Sequence, residues 1–163
     1  MSEPAAPAPY RIGVISDTHG ALPDSVEQAF AGVDAIVHAG DVGPGFVLDL
    51  LGVIAPVTAV TGNMDLGPTA LLPLALNVSL GGIHVIVAHR ERDLAGSLDP
   101  VRAGARVAVF GHTHVPSIET RDGVLRINPG SPTSPRGGSA PSVAIVTVDP
   151  DGAVSGEIVP LSS

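Results

Sequence analysis

The chain has 163 residues, enough for one domain with a sizeable core, and carries a formal net charge of −8. That acidity excludes general nucleic-acid binding and attraction to anionic membranes, which both need a basic footprint. There is no cysteine, so disulfides and thiolate metal sites are excluded as well. Apolar residues make up 44% and aromatics only 2%, so the core must be built from Val, Ile, Leu and Ala.

The opening "MSEPAAPAPY" has no basic region followed by an apolar one and does not read as a signal peptide. It reads as a disordered arm over residues 1–9, ahead of a single domain over 10–163. No apolar run reaches membrane-span length; "LLGVIAPVTAV" is short and broken by Pro56. A cytoplasmic protein is expected.

In chain order, "RIGVIS" (11–16) is a buried strand. "PDSVEQAFAG" (23–32) is a helix with Pro23 in its first turn, Val26, Ala29 and Phe30 on one face, and Gly32 as its stop. "VDAIVHAG" (33–40) is a strand, "PGFVLDLLG" (44–52) a helix closed by Gly52, and "APVTAVTG" (55–62) a third strand. This alternation implies a parallel sheet with right-handed crossovers. Next come a hairpin turning at Gly81-Gly82, a weak helix over 94–104, and the strand "RVAVFG" (106–111). A second hairpin turns near Asp122-Gly123, and "NPGSPTSPRGGSAP" (128–141) is a loop. "SVAIVTV" and "AVSGEIVPL" then pair about "DPDG". The expected fold class is α/β, a single α/β sandwich.

Each of five apolar strands runs into a residue that can bind a metal. "RIGVIS" leads to Asp17 and His19, "DAIVHAG" to Asp41, "VTAVTG" to Asn63, "IHVIVA" to His89, and "VAVFG" to His112 and His114. Ligands collect outside the carboxyl ends of strands in open α/β sheets, so parallel neighbours would bring these ends to one rim. Seven nitrogen and oxygen donors without sulfur suit Mn, Fe, Co, Ni or Zn, and exceed one tetrahedral site. If one carboxylate bridges, two metals receive four donors each. Such a pair, about 3.5–4 Å apart, clamps both oxygens of a phosphoryl displacement. Two divalent ions against two aspartates also leave a positive pocket in an acidic protein.

"SDTHG" (16–20), "GDV" around Asp41, "GNMD" (62–65), "AHR" (88–90), "GHTH" (111–114) and the "NPGSPTSPRGG" loop (128–138) resemble the calcineurin-like metallophosphoesterases, in particular their small single-domain bacterial and archaeal phosphodiesterase branch. The resemblance spans roughly Tyr10 to Val148. It implies a four-layer α/β/β/α sandwich with the metal site at the C-terminal ends of the strands. Asp17, His19 and His114 would bind one metal, Asn63, His89 and His112 the other, and Asp41 would bridge. His112 and His114, one pleat repeat apart in an extended segment, would each serve a different metal. The implied reaction is hydrolysis of a small phosphodiester by in-line attack of a metal-bridging hydroxide. Two divalent transition-metal ions are the implied cofactors, Mn first, with Ni, Co, Fe or Zn as alternatives. Homo-oligomers occur in this branch, and "LLPLAL" (71–76) offers either core or interface.

Two departures stand out. Many relatives carry a His at the position of Met64, where it helps protonate the leaving group and is oriented by the residue at Asp65. Met64 transfers no proton, which favours leaving groups that need little protonation. After His89 the family often reads Gly-His, and here it reads Arg90-Glu91; Arg90 would hold a phosphate oxygen or pair with Glu91 or Asp93.

Blander roles compete at several positions. Asp41 could cap the helix that follows, and Asn63 could be a turn residue. His38 is expected as a satisfied core histidine, His84 as a surface residue and Arg136 as a solvated one. Asn128 could back the "GHTH" loop or belong to a rigid turn. A protein-interaction scaffold or a metal-holding nucleotide-binding regulator of the same fold, with little turnover, is the alternative to the enzyme.

Overall fold

The computed structural model describes residues 7–162, so most of the expected arm lies outside the described residues. Two five-stranded sheets face each other. The first has the order β10-β9-β1-β2-β3, from β1 (Tyr10–Ile15), β2 (Ala35–His38), β3 (Val57–Ala59), β9 (Ser142–Val148) and β10 (Val154–Pro160). The second has the order β4-β5-β6-β8-β7, from β4 (Ala75–Leu80), β5 (Ile83–Ala88), β6 (Val107–Val109), β7 (Ser117–Arg121) and β8 (Val124–Asn128). β1, β2 and β3 are parallel, as are β5, β6 and β8, so each sheet sends a set of carboxyl ends to the same rim.

The central strands are apolar nearly throughout because both of their faces are buried. Strand periodicity sorts their side chains. Ile12, Val14, Val37, Val85, Val87, Val107 and Val109 fill the space between the sheets. Ile15, Ile36, Val143 and Ile145 point the other way, against Val26, Phe30, Val47 and Leu51 of the helical layer. Both expected hairpin turns are present, with positive φ at Gly81 and Gly82 and at Asp122 and Gly123.

The helices differ from expectation in their ends. α1 (Asp24–Ala29) starts after Pro23, which stands extended at its N-cap. α2 (Phe46–Ile54) runs straight through Gly52 and stops at Ala55, whose φ of −163° and ψ of 164° are extended. The stop comes from Pro56, which pushes the residue before it out of the helical region. Gly52 is therefore an interior helix residue, and a methyl group there would meet nothing within 4 Å. Gly52→Ala should stabilise the protein by about 0.5–1 kcal/mol in denaturant unfolding. An unchanged or lower midpoint would place Gly52 outside the helix in solution.

The helix expected over 94–104 does not form. Short 3-10 turns at Glu91–Asp93 and Gly96–Leu98 take its place. Gly96 and Gly104 have positive φ and Pro100 lies between them, so no helical run of useful length survives. This irregular segment still covers the second sheet, burying Leu94 and Ala105 against Ile86, Ala108 and Phe110. The sandwich thus has α-helices on one outer face and coiled chain on the other. Among the described residues no helix is long and apolar enough to cross a membrane. In the "LLPLAL" segment, Leu71 and Leu74 are exposed, at 86% and 61%.

Candidate metal centre

All five donor-bearing strand ends meet at the rim where the two sheets face each other. The loops after β1 and β2 prolong their strand pairing. The amides of Asp17 and His19 donate to the carbonyls of Gly40 and Asp41, both at 3.0 Å. In the second sheet the Gly111 amide likewise prolongs the pairing by donating to the His89 carbonyl (2.9 Å), and the His112 amide crosses to the first sheet, donating to Asp17 Oδ2 (3.0 Å).

Asp17, His19, Asp41, His112 and His114 all have φ between 50° and 74°, a region non-glycine residues seldom occupy. The only other non-glycine residue there, among the described residues, is Asp122 in its hairpin turn. The segment holding His112 and His114 is therefore not extended, contrary to the sequence expectation. Two left-handed residues bend it so that the imidazoles diverge. Left-handed backbone costs energy and persists where surrounding contacts hold it.

Those contacts are specific. Ser16 Oγ donates to Asp17 Oδ2 (2.7 Å) and Ser131 Oγ to the Asp17 carbonyl (2.8 Å). Thr133 Oγ1 donates to the Thr18 carbonyl (3.2 Å). Buried Asn128 donates from its amide to the Gly111 carbonyl (3.1 Å) and to Thr113 Oγ1 (3.0 Å), so it does back the "GHTH" loop. The roles of Ser16, Ser131 and Thr133 escaped the sequence reading. For Ser131 and Thr133 the one signal was the density of Ser and Thr in the loop after β8, which reads equally well as turn composition.

The imidazoles are oriented by carbonyls. His89 Nδ1 donates to the Ala39 carbonyl (2.8 Å) and His114 Nδ1 to the Ser134 carbonyl (2.6 Å). A carbonyl only accepts, so in each neutral ring the proton sits on Nδ1 and the lone pair of Nε2 faces the site. His89 Nε2 lies 3.4 Å from Asp41 Oδ2 and 3.9 Å from Asp17 Oδ1, and His114 Nε2 lies 3.3 Å from Asp17 Oδ1. His19 Nε2 is 3.3 Å from His114 Nε2 and 3.8 Å from both carboxylates. Among the described residues, Asp17 Oδ1 and His89 Nε2 are buried without a hydrogen-bond partner. Converging lone pairs and carboxylates repel unless a proton or cation lies among them, and buried polar atoms are rarely left unpaired. The donor set therefore fits a divalent metal.

Two groups have donor atoms within 4.8 Å of one another: Asp17, His19 and His114, and Asp17, Asp41 and His89. Asp41 also stands between His19 and His89, one member of each group. Asn63 and His112 lie at the exposed edge and face each other, Nδ1 to Oδ1, at 3.1 Å. The His112 ring stands edge-on to His89 with centroids 5.2 Å apart.

Burial pushes the Asp17 carboxyl above its usual range, against the Ser16 hydroxyl and the neighbouring His89 and His114. Burial opposes ionisation of Asp41 too, but His89, the Met64 amide and His19 hold its carboxyl below the usual range. His38 is pushed down to about 3 by burial and stays neutral. Its Nδ1 accepts from the Gly40 amide (3.1 Å), so Nε2 donates to Thr18 Oγ1 (3.0 Å). It is a satisfied core histidine that ties the β1 and β2 loops together from behind. His84 is exposed beside Asn77, and Arg136 is exposed.

Met64 is 63% exposed at the mouth, and its amide donates to Asp41 Oδ1 (2.8 Å). Asp65 has a structural role instead of a histidine to orient. It accepts from the Gly43 amide (2.9 Å) and the Gly62 amide (2.8 Å), locking the Asp41 and Asn63 loops together. Arg90 has no carboxylate within 4.0 Å among the described residues; Glu91 pairs with Arg126 at 3.1 Å.

Two parallel strand sets thus deliver histidines, aspartates and an asparagine to one rim, a donor set of the kind a metal-dependent hydrolase uses. Residues 10–151 match the calcineurin-like phosphoesterase superfamily domain, and the chain belongs to that family. It is 38% identical to a probable metallophosphoesterase of Methanocaldococcus jannaschii, over 92% of this chain and 81% of that protein. A phosphodiesterase of Escherichia coli is 31% identical over 82% of this chain and 85% of its own length. Among solved structures, a predicted phosphoesterase from Streptococcus pneumoniae superposes with a TM-score of 0.73 at 30% identity, covering 95% of this chain and 91% of that one.

Proposed function

We propose that the protein is a two-metal phosphodiesterase acting on a small phosphodiester by in-line displacement, within one domain and in the cytoplasm. The observation that carries this is the pair of buried, unpartnered atoms, Asp17 Oδ1 and His89 Nε2, in a ring of nitrogen and oxygen donors. Asp17, His19 and His114 would hold one ion, and Asn63, His89 and His112 the other, with Asp41 between them. When bound, the ions supply Lewis acidity and a nucleophile at neutral pH. Nitrogen and oxygen donors of this kind suit Mn best in our reading and accept Ni, Co, Fe or Zn.

The chain itself orients and neutralises. The Ala39 and Ser134 carbonyls fix the rings of His89 and His114 so that their donor atoms cannot turn away. Arg90, free of carboxylates among the described residues, offers its guanidinium to a phosphate oxygen at the mouth. Met64 and its neighbour Leu66 provide no proton donor on the leaving-group side. A leaving group there must depart with little protonation, which favours aryl and activated diesters.

The test is hydrolysis by chelator-stripped protein restored with Mn²⁺. Cleavage of bis-p-nitrophenyl phosphate should exceed that of p-nitrophenyl phosphate by about tenfold or more in kcat/KM, as expected where monoester turnover depends on an acid the site lacks. A preference for the monoester overturns the diester reading. No cleavage of either with Mn²⁺, Ni²⁺, Co²⁺ or Zn²⁺ points instead to the scaffold or regulator.

A further inference from the structure

Beside the candidate metal centre a pocket of about 410 Å³ is lined by Arg90, Glu91, Arg92, Phe110, His112 and Thr113. Its size falls within the range of small-molecule sites. Its charge is unusual for this protein. The net charge is −8 and there are eight basic side chains, all arginine, yet three of them gather here. Arg126 is spent on Glu91, with Nε and Nη2 at 3.4 and 3.1 Å from Oε2, and its guanidinium lies 6.0 Å above the Phe110 ring. The carboxylate at the pocket is thereby neutralised. Arg90 and Arg92 have no carboxylate within 4.0 Å among the described residues. Two unpaired guanidiniums above a partly apolar floor form a site for an anion attached to an apolar or ring-bearing group.

Arg90 joins this pocket to the chemistry. It follows His89 in the chain, and it also lines a smaller cleft with Asn63 and His89 on the other side. His112 is shared between the pocket wall and the donor ring. An anion held by Arg92 and Arg90 would lie next to a phosphodiester at the metal centre and belong to the same molecule.

We propose that the Arg90–Arg92 pocket is an anion subsite that receives a phosphorylated arm of the substrate, so that the preferred diesters carry a second phosphate. The inference rests on the phosphodiesterase reading for which substrate enters, but not for whether the pocket binds an anion.

Two measurements separate the two. Chelator-treated, ¹⁵N-labelled protein is titrated with phenyl phosphate and, in parallel, with phenol. Phosphate-dependent shifts at residues 90–92 and 110–113 are expected, with affinity about tenfold weaker in Arg92→Gln, as for loss of one charge-assisted contact. Shifts absent from these residues, equal with phenol, or unchanged by the substitution overturn the subsite. With Mn²⁺ restored, the p-nitrophenyl ester of thymidine 5′-phosphate is compared with its 3′-phosphorylated counterpart. The leaving group is the same, and kcat/KM should favour the 3′-phosphorylated ester by about tenfold, falling towards unity in Arg92→Gln. Equal turnover of both esters by the parent protein also overturns the subsite. Phosphate-dependent binding with no turnover of either ester leaves the anion pocket standing and removes the phosphodiesterase reading.

Discussion

Asp41→Asn should lower metal-dependent diester turnover by about a thousandfold or more while leaving the fold intact. The substitution is nearly isosteric. The asparagine oxygen still accepts from the Met64 amide, which meets Oδ1 at 2.8 Å, so the loop keeps its anchor. The change falls on the other side. Oδ2 faces His89 Nε2 at 3.4 Å and His19 Nε2 at 3.8 Å, and an amide nitrogen there turns a shared acceptor into a donor with no lone pair for a cation. In the proposed two-metal reading, both ions would lose a ligand at once. Metal content by mass spectrometry should fall together with activity, and the thermal midpoint of the metal-free protein should move little. His38→Gln is the control. It touches the same two loops from behind, through Thr18 and Gly40, and should cost much less activity. Parent-level turnover by Asp41→Asn would remove Asp41 from between the metals, and equal losses at both positions would make His38 more than a brace.

Gly111→Ala is the second large effect, and it acts without altering a ligand. An added methyl would sit 2.7 Å from Asp17 Oδ2 and 2.8 Å from Ser16 Cβ, closer than carbon tolerates. Neither neighbour can yield. Ser16 and Asp17 are completely buried, and Asp17 Oδ2 is already held by the Ser16 hydroxyl and the His112 amide. The strain would push the β1 and β6 loops apart and separate Asp17 from His114. Overpacking of this kind costs about 1–3 kcal/mol in stability, and the misplaced carboxylate should also weaken metal affinity by about 10–100-fold. Gly45→Ala makes the comparison, since a methyl there meets nothing within 4 Å and should leave metal affinity as it is. Full metal affinity in Gly111→Ala would show that the loops are compliant and the close approach incidental.

The gathering of these residues was legible because a polar residue just past an apolar strand stands out, and parallel strands must deliver such residues to one edge. The architecture was less so. Gly52 reads as a helix stop, yet α2 runs through it to Ile54 and ends only ahead of Pro56. The weak periodicity over 94–104 concealed two glycines that need positive φ, so coiled chain took the place of a helix. The left-handed backbone at His112 and His114 was invisible because nothing in a histidine announces it. It arises from contacts made by residues further along the chain, such as Asn128 and the Arg136 amide, which donates to the His114 carbonyl. The same holds for Asp65, whose two amide partners belong to loops that meet only in three dimensions.

The strand order has a consequence for how the protein is made. β1, which leads into Asp17 and His19, lies between β2 and β9, and β9 ends at residue 148. The Ser131 and Thr133 hydroxyls that hold the Asp17 loop also come from late in the chain. A nascent chain emerging from the ribosome therefore has its first candidate ligands long before it has the strand and the clamps that set them in place. Such non-local pairing folds slowly, and the candidate site is complete only once these late segments have docked. In the proposed reading, an ion would meet the full set of donors only after these late segments have docked.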